Sequence, residues 1–256
     1  MEYVKEEIKM QETIIDKDTR LLVVSAHAGD FIWRSGGTIA KYIKHGAQVS
    51  LVILSYGARG ESNDLWNDLN QTMENVKKIR RQEIEEATKQ LGVTDYEIWD
   101  LQDYHMSVTD QDKERMLRKI REVQPHVILT HGPKDAFNPD HELVSNFVFE
   151  ASVLSTSNGV RLEDTKRSKQ SSIFGFEPHQ AEISDFKPEV IIDITETYEQ
   201  KVAAMNCFKA QKHLIDYYSA KALIRGNQAR RCSGNNEYQY AEAFTRFFPY
   251  VGGTFN

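Results

Sequence analysis

Cysteine is scarce: Cys207 and Cys232 are the only two among 256 residues. That count excludes a disulfide framework and a cysteine-rich zinc site, and a reduced, cytoplasmic chain is the expectation. A basic excess is also missing. Thirty-two Lys and Arg face 38 Asp and Glu, for a net charge of −6, so the chain carries no electrostatic footprint for nucleic acid. Long apolar runs are absent. The longest near the N-terminus, Leu21–Ala26, has six residues, against the ~20 a membrane-spanning helix needs. The opening stretch, residues 1–20, alternates in charge and lacks the apolar segment of a secretory signal. It reads as an N-terminal extension before one domain over 21–256. No internal repeat or low-complexity tract is present. What remains, 40% hydrophobic and 27% charged residues, is ordinary globular composition. A chain of this length buries a full core without staples, so a bound metal would be functional rather than structural.

Short β-branched runs alternate with amphipathic segments. Strands are expected at 21–25, 49–54, 97–101 and 127–130. Helices are expected at 36–45 with Ser35 as cap, at 75–91 stopped by Gly92, near 111–123, and from Pro139 to about Ser155 with Asn138 as cap. This β-α repetition predicts an α/β fold: a Rossmann-like, three-layer architecture around a mostly parallel sheet. Beyond a polar loop at 161–170, strands are expected at 171–177 and 190–194. Helices follow from Thr195 to about His213 and over 216–230.

Ligands of such sheets bind beyond the carboxyl ends of the strands. Those ends hold His27, Asp30, His131, Asp135, Asp140 and His141. Two histidines and a carboxylate with an open position suit catalytic zinc or non-haem iron. Spacing alone is weak support, because a lone His or Asp at a strand end is more often a cap or a surface group.

The segment SAHAGDF after the first strand, the NPDH after the fourth, the GGT of the first helix and Arg80-x-x-Glu83 resemble the PIG-L/LmbE-like family of zinc-dependent N-deacetylases. The resemblance implies that His27, Asp30 and His141 are ligands of Zn2+, and it implies a homo-oligomer. Two departures matter. Gly29 stands where the deacetylases carry the Asp that acts as base, and Asn138 where they carry a His that helps stabilise the oxyanion. Glycine cannot take a proton, and Asn donates hydrogen bonds but is no acid. The segments SAHAGDFIWRSGGTIA, LSYGARGES, FEPHQAE and QKHLIDYYSAKALIRGNQARR are similar to the 4-oxalomesaconate hydratase branch of the family, which also lacks that base. This similarity runs from about Leu21 to Val251, with Ala58 departing where the branch has Glu.

The implied activity is zinc-dependent addition of water to a conjugated keto-polycarboxylate. Zinc would act as a Lewis acid on the carbonyl. Glu61, in the glycine-rich turn after the second strand, and His179, after FGFE, are the acid–base candidates. Arg34, Arg59 and Arg225, with Asn138, are the candidates for holding a small-molecule polycarboxylate. Asp135 and Asp140 are candidates to orient the ligand histidines, His131 to line the pocket, and Tyr217 and Tyr218 to close it. Arg80 with Glu83 reads as a structural pair one helical turn apart. His45, His105, His126, His213 and the three tryptophans read as structural. Two other functions fit these residues: N-deacetylation of an amino sugar or small amide with Glu61 or Asp135 as base, and silent metal-dependent ligand binding.

Overall fold

Strands covered on both faces read as continuous apolar runs, and the runs at 21–25, 49–54 and 127–130 do so. The computed structural model describes residues 15–252. Most of the expected N-terminal extension, residues 1–14, lies outside the described residues. Seven strands form one sheet: β1 (Arg20–Ser25), β2 (Gln48–Ile53), β3 (Asp95–Ile98), β4 (Val127–His131), β5 (Ser172–Phe176), β6 (Val190–Asp193) and β7 (Ala241–Arg246). Their order is β3-β2-β1-β4-β5-β7-β6. All pairs are parallel except those of β7, which runs antiparallel to both β5 and β6. The chain winds outward from β1 to β3, then returns to place β4 on the other side of β1. The crevice between the carboxyl ends of β1 and β4 is therefore a topological switch point.

Helices cover both faces. Leu21 and Val23 face α1 (Asp30–Lys44), α2 (Met73–Leu91) and Phe208, while Leu22 and Val24 face α3 (Asp110–Val123) and α4 (Pro139–Ser155). The period-2 alternation of side chains along β1 thus feeds two cores. Local signals set several helix ends. Thr72 caps α2 by accepting from Asn75 N, and Gly92 ends it at φ 82°. Thr109 and Asp112 form a capping box on α3, worth about 1 kcal/mol. Asn138 caps α4, with Pro139 in its first turn.

Three expectations need correction. First, α1 begins at Asp30, not Gly36, and Ser35 lies inside it with its hydroxyl donating to Phe31 O at 2.9 Å. The early start puts Asp30 in the first turn, where a carboxylate is favoured. Second, the expected helix from Thr195 to His213 is broken into a 3-10 turn (Thr195–Thr197), α5 (Tyr198–Met205) and a second 3-10 turn (Lys209–Gln211). Phe208 is fully buried at the break, and Glu83 accepts from Ala210 N at 3.0 Å, so core packing and a buried carboxylate hold the chain out of helix. The following helix, α6, spans Leu214–Ser233. Third, β7 was not expected, because AEAFTR carries a charge at its second position. That charge, Glu242, is buried. It pairs with Lys201 at 2.6 Å and accepts from Gly37 N and Thr38 N, while Lys201 also donates to Trp33 O at 2.9 Å. The ion pair is set into the side of α1. Gly37 leaves room for Ile194 against the same helix, since a Cβ there would lie 2.8 Å from Ile194 Cβ.

Candidate metal centre and active site

His27 leaves β1, Asp30 opens α1, and His141 sits in the first turn of α4 beyond β4. The switch point brings the three together, all of them buried. His27 Nδ1 lies 3.2 Å from His141 Nε2 and 3.3 Å from Asp30 Oδ2, and His141 Nε2 lies 3.5 Å from Asp30 Oδ2. Donors about 2.0–2.1 Å from a tetrahedral ion are separated by roughly 3.3–3.4 Å, so the spacing fits a small cation.

Proton placement agrees with that fit. His27 Nε2 donates to Asp140 Oδ2 at 3.1 Å, and His141 Nδ1 donates to Asp135 Oδ2 at 2.8 Å. In the neutral rings the opposite nitrogens then carry lone pairs, and both point at the Asp30 oxygen. Three electron-pair donors facing one another repel unless positive charge sits among them. The acidic surroundings of His27 also favour positive charge there. Burial pulls its pKa down, but the hydrogen bonds to Asp140 and Asp30 and the charges of Asp30 and Glu61 push it up to about 10. Burial raises the Asp30 carboxyl, and the neighbouring imidazoles, His141 foremost, more than reverse this, leaving it well below the usual carboxylate range. Asp140, buried yet bonded to His27 and to the N–H groups of Met106 and Tyr104, is held down to about 2. This carboxylate–histidine arrangement fixes tautomer and ring orientation at metal sites.

His131 does not line the cavity. It accepts from Ala26 N at 3.0 Å, and its ring stacks on His141 with centroids 3.9 Å apart. Burial, with the charge of His141, lowers it to about 3. It is a neutral prop behind a ligand.

A cavity of about 240 Å3 opens over the cluster. Glu61, from the turn after β2, enters one side with Oε1 3.9 Å from His27 Nδ1. His179 lies on the wall, stacked on Tyr217 at 4.2 Å, with Nδ1 3.4 Å from the Tyr218 hydroxyl. Burial and the positive charges of Arg34 and Lys221 lower its pKa below 6.5, so it is neutral at pH 7. Burial and the charge of Asp30 raise Tyr218, which keeps its proton. Arg34 also reaches the wall. Its NH1 donates to Glu177 O at 2.8 Å, and its Nε lies 3.4 Å from Asp30 Oδ1. Burial works against its charge, but Tyr218, Asp30, Asp135 and Glu61 raise its pKa, so a cation is retained there.

Two arginines singled out in the sequence lie elsewhere. Arg225 grips both oxygens of Glu177 at 2.6 and 2.9 Å. Arg59 is exposed, and among the described residues only its backbone N–H is engaged, by Asp103 Oδ2 at 2.8 Å. Neither lines the cavity, so among the lining residues Arg34 is the guanidinium beside the carboxylates of Asp30, Glu61, Asp64 and Asp135. Asn138 does line it, but its Oδ1 is used by Asp140 N and its Nδ2 by Glu61 Oε1 at 3.2 Å.

The lining residues that the sequence did not single out for function include Trp33, Gln211 and His213. Trp33 and Gln211 fill the space over Gly29. A Cβ at that glycine would collide with Trp33 Nε1 and lie 2.9 Å from Gln211 Oε1. The glycine is therefore required by the packing of an indole that the sequence alone assigns to the core.

The family model described as PIG-L, GlcNAc-PI de-N-acetylase, matches residues 22–152. The 4-oxalmesaconate hydratase of Pseudomonas putida (strain KT2440) is 38% identical over 233 residues, covering 90% of this chain and 90% of that protein. The crystal structure of GalB, the 4-carboxy-2-hydroxymuconate hydratase of P. putida KT2440, matches with a TM-score of 0.88 at 37% identity, over 93% of this chain and 100% of that one. The N,N'-diacetylchitobiose deacetylase of Pyrococcus horikoshii shares the fold, with a TM-score of 0.75 at 21% identity over 90% of this chain and 84% of that one. With its His27–Asp30–His141 cluster at the switch point of a mostly parallel sheet, the chain belongs to the PIG-L family.

Proposed function

We propose that the protein is a zinc-dependent hydro-lyase that adds water to the double bond of a conjugated keto-polycarboxylate, 4-oxalomesaconate or a close relative. The observation that carries the reading is the placement of Glu61. Its carboxylate stands 3.9 Å from His27 Nδ1, at the edge of the His27–Asp30–His141 cluster and inside a cavity that Arg34 also lines. Residue 29 offers no carboxylate, so Glu61 is the base of this centre.

His27, Asp30 and His141 would hold a divalent cation, which would supply a Lewis acid to stabilise negative charge on a substrate oxygen. The protein does the rest. Glu61 takes a proton from water as the water oxygen bonds to the far carbon of the double bond. The electron pair moves onto the conjugated carbonyl. A proton returned to the carbon next to that carbonyl completes the addition of one water. His179 is neutral, and with the Tyr218 hydroxyl donating to Nδ1 its Nε2–H is a hydrogen-bond donor. We assign it to the substrate oxygen or to proton return. Arg34 pairs with a substrate carboxylate, and the cation's charge offsets the acidic wall.

The remaining parts of the proposal are an assembly of identical chains and a cytoplasmic site of action. Both cysteines are free, and among the described residues no helix is long and apolar enough to cross a membrane. Residues 21–256 act as one domain, in support of which β6 and β7 complete the same sheet as β1–β5.

The test is loss of ultraviolet absorbance of 4-oxalomesaconate by the zinc-loaded protein. Glu61→Gln and His179→Ala are each expected to lower kcat by roughly 10²- to 10⁴-fold, the usual worth of a positioned acid or base. Full activity in both variants, or acetate release from N-acetyl amino sugars without any hydration, overturns the reading.

A further inference from the structure

Glu61 is held from both sides by amide groups, and the orientation of each amide is dictated by a third group. On one side Asn138 Oδ1 accepts the N–H of Asp140 at 3.2 Å, so its NH2 must face Glu61 Oε1, also at 3.2 Å. On the other side stands Gln211, a buried residue at the end of the second 3-10 turn. Its Oε1 accepts from Arg80 NH2 at 3.0 Å, and its Nε2 donates to Glu61 Oε2 at 2.9 Å. A guanidinium only donates, so the amide oxygen must face Arg80 and the amide N–H must face Glu61. The flipped amide would set N–H against N–H and oxygen against oxygen.

Arg80 cannot move aside. It is fully buried, donates to Glu83 Oε2 at 2.7 Å and to Tyr56 O at 3.2 Å, and Glu83 in turn accepts from Ala210 N at 3.0 Å. The Arg80–Glu83 pair of α2 thus grips the turn that carries Gln211. We propose that Gln211 is a positioning residue for the base, and that the buried charge of Arg80 sets the way it faces. The relay Arg80–Gln211–Glu61 delivers a fixed N–H to one carboxylate oxygen while Asn138 delivers another to the second. Both oxygens of Glu61 are thereby kept as acceptors, which is the form a base must have before it meets water. This inference rests on the reading of Glu61 as base.

The test is a double-mutant cycle on the zinc-loaded protein, followed by loss of substrate absorbance. Gln211→Met keeps the length of the side chain and removes the donor. Its kcat is expected to fall roughly 10- to 100-fold, the effect of removing a hydrogen-bond partner that orients a reactive group, with KM and metal content close to wild type and a lower Tm, because Arg80 NH2 also loses its acceptor. In the Glu61→Gln background the same substitution should change the residual rate less than about 2-fold, because residues acting through one group are not additive. If Gln211→Met fails to fold, Gln211→Glu takes its place: it leaves Arg80 an acceptor and presents oxygen to Glu61, with the same expected loss of kcat. Wild-type kcat in the folded variant, or an equal fold-loss in both backgrounds, overturns the proposal. An inactive Glu61→Gln beside an unaffected Gln211 variant removes this inference alone, whereas a fully active Glu61→Gln removes the reading beneath it.

Discussion

Asp140→Asn probes the centre without touching a ligand. The wild-type carboxylate makes three contacts. Oδ2 accepts from His27 Nε2 at 3.1 Å and from Tyr104 N at 2.7 Å, and Oδ1 accepts from Met106 N at 3.0 Å. Asparagine has one oxygen and one NH2 group, and neither orientation serves all three. With NH2 toward Met106, that backbone N–H loses its acceptor. With NH2 toward His27 and Tyr104, Tyr104 N loses its acceptor and the imidazole is driven to the tautomer with its proton on Nδ1. That is the nitrogen facing Asp30 and His141, so the ligand set is spoiled. Leaving one buried N–H without a partner costs about 1–3 kcal/mol. Loss of the orienting carboxylate weakens metal binding by roughly 10- to 100-fold, or about 1.4–2.7 kcal/mol. Chelator competition for zinc at pH 7 reads the second effect, and urea denaturation of the metal-stripped protein reads the first. A variant whose zinc Kd stays within about 2-fold of wild type and whose stability is unchanged would refute the claim that Asp140 fixes the His27 tautomer.

Two further outcomes are expected. Gly29→Asp should not create N-deacetylase activity, because its side chain meets Trp33 and Gln211; it should lower Tm, and acetate release from an N-acetyl amino sugar at a normal Tm would contradict this. For Glu177, burial raises the carboxyl, but the Arg225 hydrogen bond and the charges of Lys221 and Arg225 outweigh burial and bring it below its ordinary 4.5. A depressed native pKa stabilises the fold at pH above the unfolded value, and that stability is lost as pH falls through the native value. Glu177→Gln should therefore be less stable than wild type at pH 7 by urea denaturation, with the gap closing below about pH 4.5; a gap independent of pH would rule out the ionised contact.

The fold was legible to the extent that its signals are local. The apolar runs of β1, β2 and β4, the Thr72 and Asn138 caps and the left-handed Gly92 act over a few residues, so spacing alone locates them. The start of α1 was not legible, because Gly29 caps it with no side chain and the Gly36–Gly37 pair looks like a boundary. Strand β7 was hidden because its buried Glu242 is neutralised by Lys201, 41 residues away.

The same division runs through the site. In the sequence the strand ends offered His27, Asp30, His131, Asp135, Asp140 and His141 together, and the family resemblance singled out His27, Asp30 and His141 among them. The sequence also supplied Glu61 and His179 as groups able to move protons at neutral pH. Only the tertiary structure decided which cations reach the cavity. Arg34 is turned inward by the Glu177 carbonyl, while Arg225 is taken by the Glu177 carboxylate and Arg59 lies exposed. Only the tertiary structure also set Trp33 over Gly29 and linked Arg80 through Gln211 to Glu61, a contact between side chains 150 residues apart. Residue type and spacing fix what a side chain can do. Partner, burial and direction are set by segments distant in the chain, and those determine which capacity is used.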